Sequence, residues 1–209
     1  LSWSVNKMSE LLLAMQDYAA NHNLPVIDPE GSALLAATVT ACSPEAVLEI
    51  GTAIGYSTLL IAERLLPGAR VTTIEIDSDR AAVAVDFINR SGFANRIEIL
   101  AGDANEVLPS LHGTFDLIFI DAAKGQYLNY LRLIMDKLSP GAVIFADNVL
   151  YRGWVRGPNP PRRLKTMIER LREYVAFVTT DPRFVTTVYP IGDGVAISKY
   201  QEEPLLEKN

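Results

Sequence analysis

Apolar residues recur along this chain with two different periods. Across residues 6–22, Met8, Leu11, Leu12, Met15, Tyr18 and Ala19 stand at three- and four-residue intervals, the spacing of one helix face. A second helix is predicted over 31–41. Beyond Ser43-Pro44 the pattern changes to short apolar runs at 46–50, 71–76, 97–100, 115–120 and 142–146, most of them separated by amphipathic stretches. Strands alternating with helices imply right-handed crossovers and a mostly parallel sheet with helices on both faces. A helix over 161–179 and two β-rich runs, 184–190 and 194–199, complete the chain. The second pair is joined by Ile191-Gly192-Asp193 alone, a connection short enough to permit only an antiparallel hairpin, so one reversed strand is expected at the end of the sheet. The pattern predicts a Rossmann-like α/β fold: seven strands, mostly parallel, with a C-terminal antiparallel hairpin strand. Residues 1–209 read as a single domain, with N-terminal helices over 1–44 and the sheet over 45–200.

Composition narrows the class. Hydrophobic residues at 49% and charged residues at 21% describe a globular chain, and its longest apolar runs fall far short of the roughly 20 residues that span a bilayer. Cys42 is the single cysteine, which excludes an intramolecular disulfide and a multi-cysteine metal site. The first residues show no cationic region followed by an apolar one. The compartment these features imply is the cytoplasm. A net charge of −6 argues against a protein built to coat nucleic acid. The charge is uneven, however: over 151–172, Arg152, Arg156, Arg162, Arg163, Lys165, Arg170 and Arg172 face a single acid, Glu169.

The candidate chemistry lies where strands end. Ligands of parallel sheets bind at the carboxyl ends of the strands. The first strand runs into Gly51-Thr52-Ala53-Ile54-Gly55-Tyr56-Ser57, where glycines let the backbone approach a ligand and a helix start offers unpaired N–H groups. This Gly-x-x-x-Gly spacing differs from the Gly-x-Gly-x-x-Gly of dinucleotide sites. Taken alone it also describes an ordinary tight turn. The second strand ends near Glu75, an acid placed to accept from both hydroxyls of a ribose; a solvated strand end is the plain alternative. The third strand leads to Gly102-Asp103-Ala104, a loop able to hold an adenine edge. The fourth and fifth lead to Asp121-Ala122-Ala123-Lys124 and Asp147-Asn148. Two carboxylates and an amide carbonyl from neighbouring strand ends suit a hard cation such as Mg²⁺, although Asp147-Asn148 by itself also fits a turn or helix cap.

Leu48-Glu49-Ile50-Gly51 through Ser57, Ile120 through Lys124 and Ala146 through Val149 together resemble the cation-dependent O-methyltransferases, the family of catechol and caffeoyl-CoA O-methyltransferases. The likeness extends over 24–199. It implies S-adenosylmethionine as methyl donor and a divalent cation. It implies metal ligands at Asp121, Asp147 and Asn148, a base or electrostatic residue at Lys124, and for Asp121 a catalytic and a cofactor-binding part as well. Toward the cofactor it implies Glu49 and Gly51 near the methionine end, Ser57 on its carboxylate, Glu75 on the ribose, and Asp103 and Ala104 near adenine, with Ile27 as a further contact. Within the family, residues 119–127, 147–150 and 192–198 most resemble a bacterial branch that methylates 5-hydroxyuridine in the tRNA anticodon. The substrate expectation is therefore tRNA, gripped by the basic stretch with Tyr151 and Trp154 available to stack on a base. A small catechol-type acceptor is the alternative, and a cofactor-binding protein without catalysis a more distant one. Lys124 either takes the hydroxyl proton or, as a cation, stabilises the oxyanion. A homodimer is expected, from the family's habit and from the apolar surplus of the first helix. His22, His112 and Cys42 lie outside every motif.

Overall fold

The computed structural model describes residues 2–202, with side chains described from Lys7 onward. The first two helices, α1 (Ser2–Asn21) and α2 (Pro29–Cys42), precede the sheet. At the head of α2 the Asp28 carboxylate accepts from Gly31 N at 2.7 Å, and Pro29 occupies the first turn, where no N–H is missed. The periodic positions of α1 are spent inside the chain. Met8, Leu11, Met15 and Ala19 are buried in the core, and among the described residues of this helix Leu13 is the exposed large apolar side chain, so these buried positions give no argument for a second copy.

Seven strands follow in the order β3-β2-β1-β4-β5-β7-β6: β1 (Ala46–Ile50), β2 (Arg70–Glu75), β3 (Ile97–Ala101), β4 (Phe115–Ile120), β5 (Leu138–Ala146), β6 (Phe184–Tyr189) and β7 (Val195–Tyr200). The first five are parallel neighbours. β7 runs antiparallel to both β5 and β6. The reversed strand is thus inserted inside the sheet and β6 forms the edge, a placement the short 190–194 connection allows equally well.

Between strands run α3 (Tyr56–Ala62), α4 (Ser78–Ser91), α5 (Ala104–Val107), α6 (Tyr127–Leu133) and α7 (Lys165–Thr180). The last is a 16-residue helix preceded by a 3-10 turn at Arg162–Leu164, so it begins later than the expected 161. Alternation along each strand sends successive side chains to opposite faces. Val47, Leu117, Phe119 and Phe145 join a core under α1 to α4, while Leu48, Ile118, Ile120 and Ile144 join a second under α6 and α7. Burial on both faces explains why these strands read as continuous apolar runs. Because β1 leads outward to β2 on one side and the chain later returns to β4 on the other, the helices that follow β1 and β4 pack on opposite faces and a crevice opens at the carboxyl ends.

Candidate active site

That crevice is a cavity of about 860 Å³. Of the residues singled out from sequence, Ile27, Gly51, Ser57, Glu75, Asp103, Ala104, Asp121, Lys124, Asp147 and Asn148 all line it. Glu49 does not. Its side chain is 0% exposed beneath the cavity floor, where its carboxylate accepts from Ser57 Oγ at 2.5 Å, Thr73 Oγ1 at 2.6 Å and Thr58 Oγ1. Glu49 on β1 points into a close-packed layer and reaches the cavity only through a neighbour. Its influence on the cavity passes through Ser57, whose single hydroxyl hydrogen is committed to it. Burial pushes the Glu49 carboxyl up to about 7, against the pull of the three hydroxyls, with the Asp121 charge adding to the rise.

The loop after β1 is shaped by close approach. Gly51 has φ +106°, and a Cβ there would lie 2.2 Å from the Asp121 carbonyl oxygen, so the turns after β1 and β4 touch at a residue without a side chain. Gly51 N and Thr52 N both donate to Ile74 O, at 3.0 and 3.1 Å. The Glu75 carboxylate, 5% exposed, accepts from Ala53 N at 2.7 Å and Asp77 N at 2.9 Å, which fixes its orientation and leaves lone pairs toward the cavity. Ile76 next to it is 69% exposed, an apolar surface at the cavity wall that periodicity treats as the end of a strand. Asp103 caps α5 by accepting from Asn105 N at 2.8 Å.

Asp121, Asp147 and Asn148 meet at the other half of the cavity because β4 and β5 are adjacent, with Ile120 opposite Ala146. Asp147 N donates to Ile120 O at 3.0 Å, and the Tyr127 hydroxyl donates to Asp147 O at 3.0 Å. Lys124 is ion-paired with Asp121. The Asp147 side chain is 3% exposed, and burial, followed by the charge of Asp121, raises its carboxyl to about 7 despite Asn148 N and Lys124; Asp28 adds to the rise. Two carboxylates that repel one another in a dry corner fit a bound cation, which would offset that repulsion. Asn148 is held in the left-handed region at φ 56°. Among the described residues no three His, Cys, Asp or Glu side chains converge; Asp121, Asp147 and Asn148 could offer a cation two carboxylates and one amide oxygen, donors suited to a hard, oxygen-seeking ion.

The sheet topology, the Gly51 approach and this corner form one arrangement, and residues 2–201 match the family model described as O-methyltransferase. The chain belongs to the O-methyltransferase family. The enzyme is 36% identical to a catechol O-methyltransferase of Niastella koreensis over 156 residues, 72% of this chain and 71% of that protein. Caffeoyl-CoA O-methyltransferase 5 of Nicotiana tabacum is 28% identical over 202 residues, 91% of this chain and 84% of that one. Among solved structures, an O-methyltransferase from Bacillus cereus in complex with SAH superposes with TM-score 0.83 at 28% identity, over 92% of this chain and 91% of that one. The SAM-bound TomG O-methyltransferase of Streptomyces achromogenes superposes with TM-score 0.80 at 27% identity, over 93% and 89%.

Several wall residues of the methyltransferase carried no signal in the sequence. Asp28 reaches the cavity because the segment before α2 folds over it, and Asp193 because the β6–β7 turn comes alongside β5. The basic stretch divides on folding. Arg172 turns inward, Trp154 is half-buried against the core, and Tyr151 lines the cavity, while Arg152, Arg156, Arg162, Arg163, Lys165 and Arg170 stay exposed. Trp154 therefore gives part of its ring to packing. No described helix is long and apolar enough to cross a membrane.

Proposed function

We propose that this enzyme methylates one oxygen of a small acceptor carrying two adjacent oxygens, of the catechol type, with S-adenosylmethionine as donor and a divalent cation such as Mg²⁺ as cofactor. The observation that carries this reading is the convergence of Asp121, Asp147, Asn148 and Lys124 in one cavity with Gly51, Ser57, Glu75 and Asp103. The names of the relatives, catechol and caffeoyl-CoA O-methyltransferases, support the acceptor class, and the SAH- and SAM-bound neighbours support the donor.

Asp121, Asp147 and Asn148 would hold the cation, which when bound supplies positive charge that lowers the pKa of an acceptor hydroxyl. Glu75 and Asp103 bind the nucleoside end of the donor, and Gly51 lets the backbone lie against its methionine end. Lys124, kept in place by Asp121, steadies the negative charge that develops on the acceptor oxygen. The reaction forms an O–C bond, breaks the S–C bond of the sulfonium and releases the hydroxyl proton to solvent. Proximity and alignment therefore supply much of the acceleration. No covalent enzyme intermediate is required.

A second reading keeps the same chemistry with 5-hydroxyuridine in a tRNA anticodon as acceptor, since its 5-oxygen and 4-carbonyl offer a similar oxygen pair. The exposed Arg152, Arg156, Arg162 and Arg163 favour it, being disposed to meet phosphates. Purified enzyme with labelled S-adenosylmethionine and Mg²⁺ should methylate a simple catechol, and EDTA should stop it. Methylation of 5-hydroxyuridine-containing tRNA without catechol turnover would replace the first reading by the second. Transfer undiminished by EDTA would overturn the metal-assisted mechanism in both.

A further inference from the structure

The segment that leaves Asn148 is strained. Asn148, Tyr151 and Arg152 have φ of 56°, 33° and 54°, three left-handed residues within five positions, none of them glycine. Such conformations persist only where the surroundings over-determine them. Two anchors do so. On one side the β6–β7 turn takes the first half of the segment: Val149 N donates to Gly194 O at 2.8 Å, Leu150 N and Tyr151 N donate to Asp193 O at 2.8 and 3.0 Å, and Arg152 N donates to Asp193 Oδ1 at 3.1 Å.

On the other side stands Arg172, on α7. Its Nε donates to Val155 O at 2.9 Å, and its Nη2 donates to Trp154 O at 3.0 Å and Gly157 O at 2.6 Å. One guanidinium thus gathers three main-chain carbonyls of a loop with no regular ladder of its own, a use for which its rigid fork is suited and a lysine is not. Tyr151, held by the first anchor and joined to the second through Trp154 N, which donates to Tyr151 O at 3.0 Å, forms the cavity wall next to the Asp147–Asn148 corner. The cofactor-side residues Gly51, Ser57, Glu75 and Asp103 follow β1, β2 and β3, on the far side of β4 from this loop.

We propose that Arg172 is a positioning residue for the acceptor: by clamping the loop carbonyls at 154–157 it holds the Tyr151 wall against the metal corner, and so sets acceptor affinity without touching the acceptor. The inference rests on the reading of that corner as the acceptor's end of the cavity. Loss of the clamp leaves three carbonyls without their shared donor and lets the left-handed residues relax, which moves one wall and spares the other.

The test compares the full chain with Arg172→Met and Arg172→Lys. Amide hydrogen exchange at Trp154, Val155 and Gly157 should accelerate in Arg172→Met. The acceptor KM should rise about tenfold or more with a smaller change in kcat, and S-adenosylhomocysteine affinity by calorimetry should stay within about twofold. Arg172→Lys, which keeps the charge and the stem, should fall between. A loop that exchanges faster with an unchanged acceptor KM would overturn the proposal, as would equal losses for acceptor and S-adenosylhomocysteine. The exchange and calorimetric arms need no turnover: an inactive parent would sink the acceptor reading, whereas unchanged exchange in Arg172→Met would sink the clamp itself.

Discussion

Glu49 is a carboxyl with no water to ionise into, and its pH dependence follows from that. Its folded pKa of about 7 lies above the ordinary carboxylate value of 4.5, so the folded state binds its proton more tightly than the unfolded chain does. The stability it confers is full below about pH 4.5 and is lost as pH rises through about 7. In cofactor-free protein, denaturant unfolding of Glu49→Gln should therefore show a shallower decline between pH 4.5 and 7 than the parent; identical slopes would mean that Glu49 titrates normally. Asp121 and Asp147 differ from it in facing the cavity. Replacing either by Ala removes charge and a donor atom together, and turnover at saturating Mg²⁺ should fall by roughly a hundredfold or more, while S-adenosylhomocysteine binding by calorimetry survives in Asp147→Ala. The carboxylates at 121 and 147 were legible in sequence because each directly follows an apolar run. The burial of Glu49 was legible only as alternation: it follows Leu48 inside a strand buried on both faces, so its side chain had to enter one core or the other.

At the scale of elements, the site is made of turns that touch. The turn after β1 meets the turn after β4 at Gly51, where a Cβ would stand 2.2 Å from the Asp121 carbonyl oxygen. Gly51→Ala must move one of these turns and adopt an unfavourable φ besides, so it should destabilise the fold by about 2 kcal/mol or more and weaken S-adenosylhomocysteine binding at the same time. Denaturant midpoints and calorimetry measure the two; an alanine variant as stable as the parent would show that the approach is not tight. The hairpin offers a parallel case. Gly194 has φ +88°, and its Cβ would collide with Leu150 at 2.3 Å, so the β6–β7 turn and the loop after Asn148 are fitted to each other. Caps and turn residues fix element boundaries locally: Asp77 before α4 accepts from Asp79 N and Arg80 N, and Gly92 ends that helix at φ 81°. The contact between one turn and another was not readable, because it joins residues far apart in the chain.

For the whole molecule, two cores flank one sheet and the cavity lies along its carboxyl edge, so a ligand bound there should stabilise everything beneath it. With S-adenosylhomocysteine at 100 times its Kd, linkage predicts about 2.7 kcal/mol, or roughly 5–10 °C in Tm for a domain of this size. Glu75→Ala should lose most of that shift in a thermal-melt titration, and a full shift in the variant would remove Glu75 from the site. The amino-acid sequence by itself determined the class of fold, since uninterrupted apolar runs alternating with amphipathic stretches bury both faces of a parallel sheet in one way. It also marked which strand ends line the cavity, because motif residues follow directly on the runs that place them. Tertiary structure alone decided the rest. Adjacency of β4 and β5 made two distant aspartates one corner; the inserted β7 brought Asp193 to the cavity; and the fold split one basic stretch into an inward Arg172 and an outward Arg162 and Arg163. The physical reason is the same in each case: local spacing dictates which way a side chain leaves its own element, but what it meets there depends on elements packed from elsewhere in the chain.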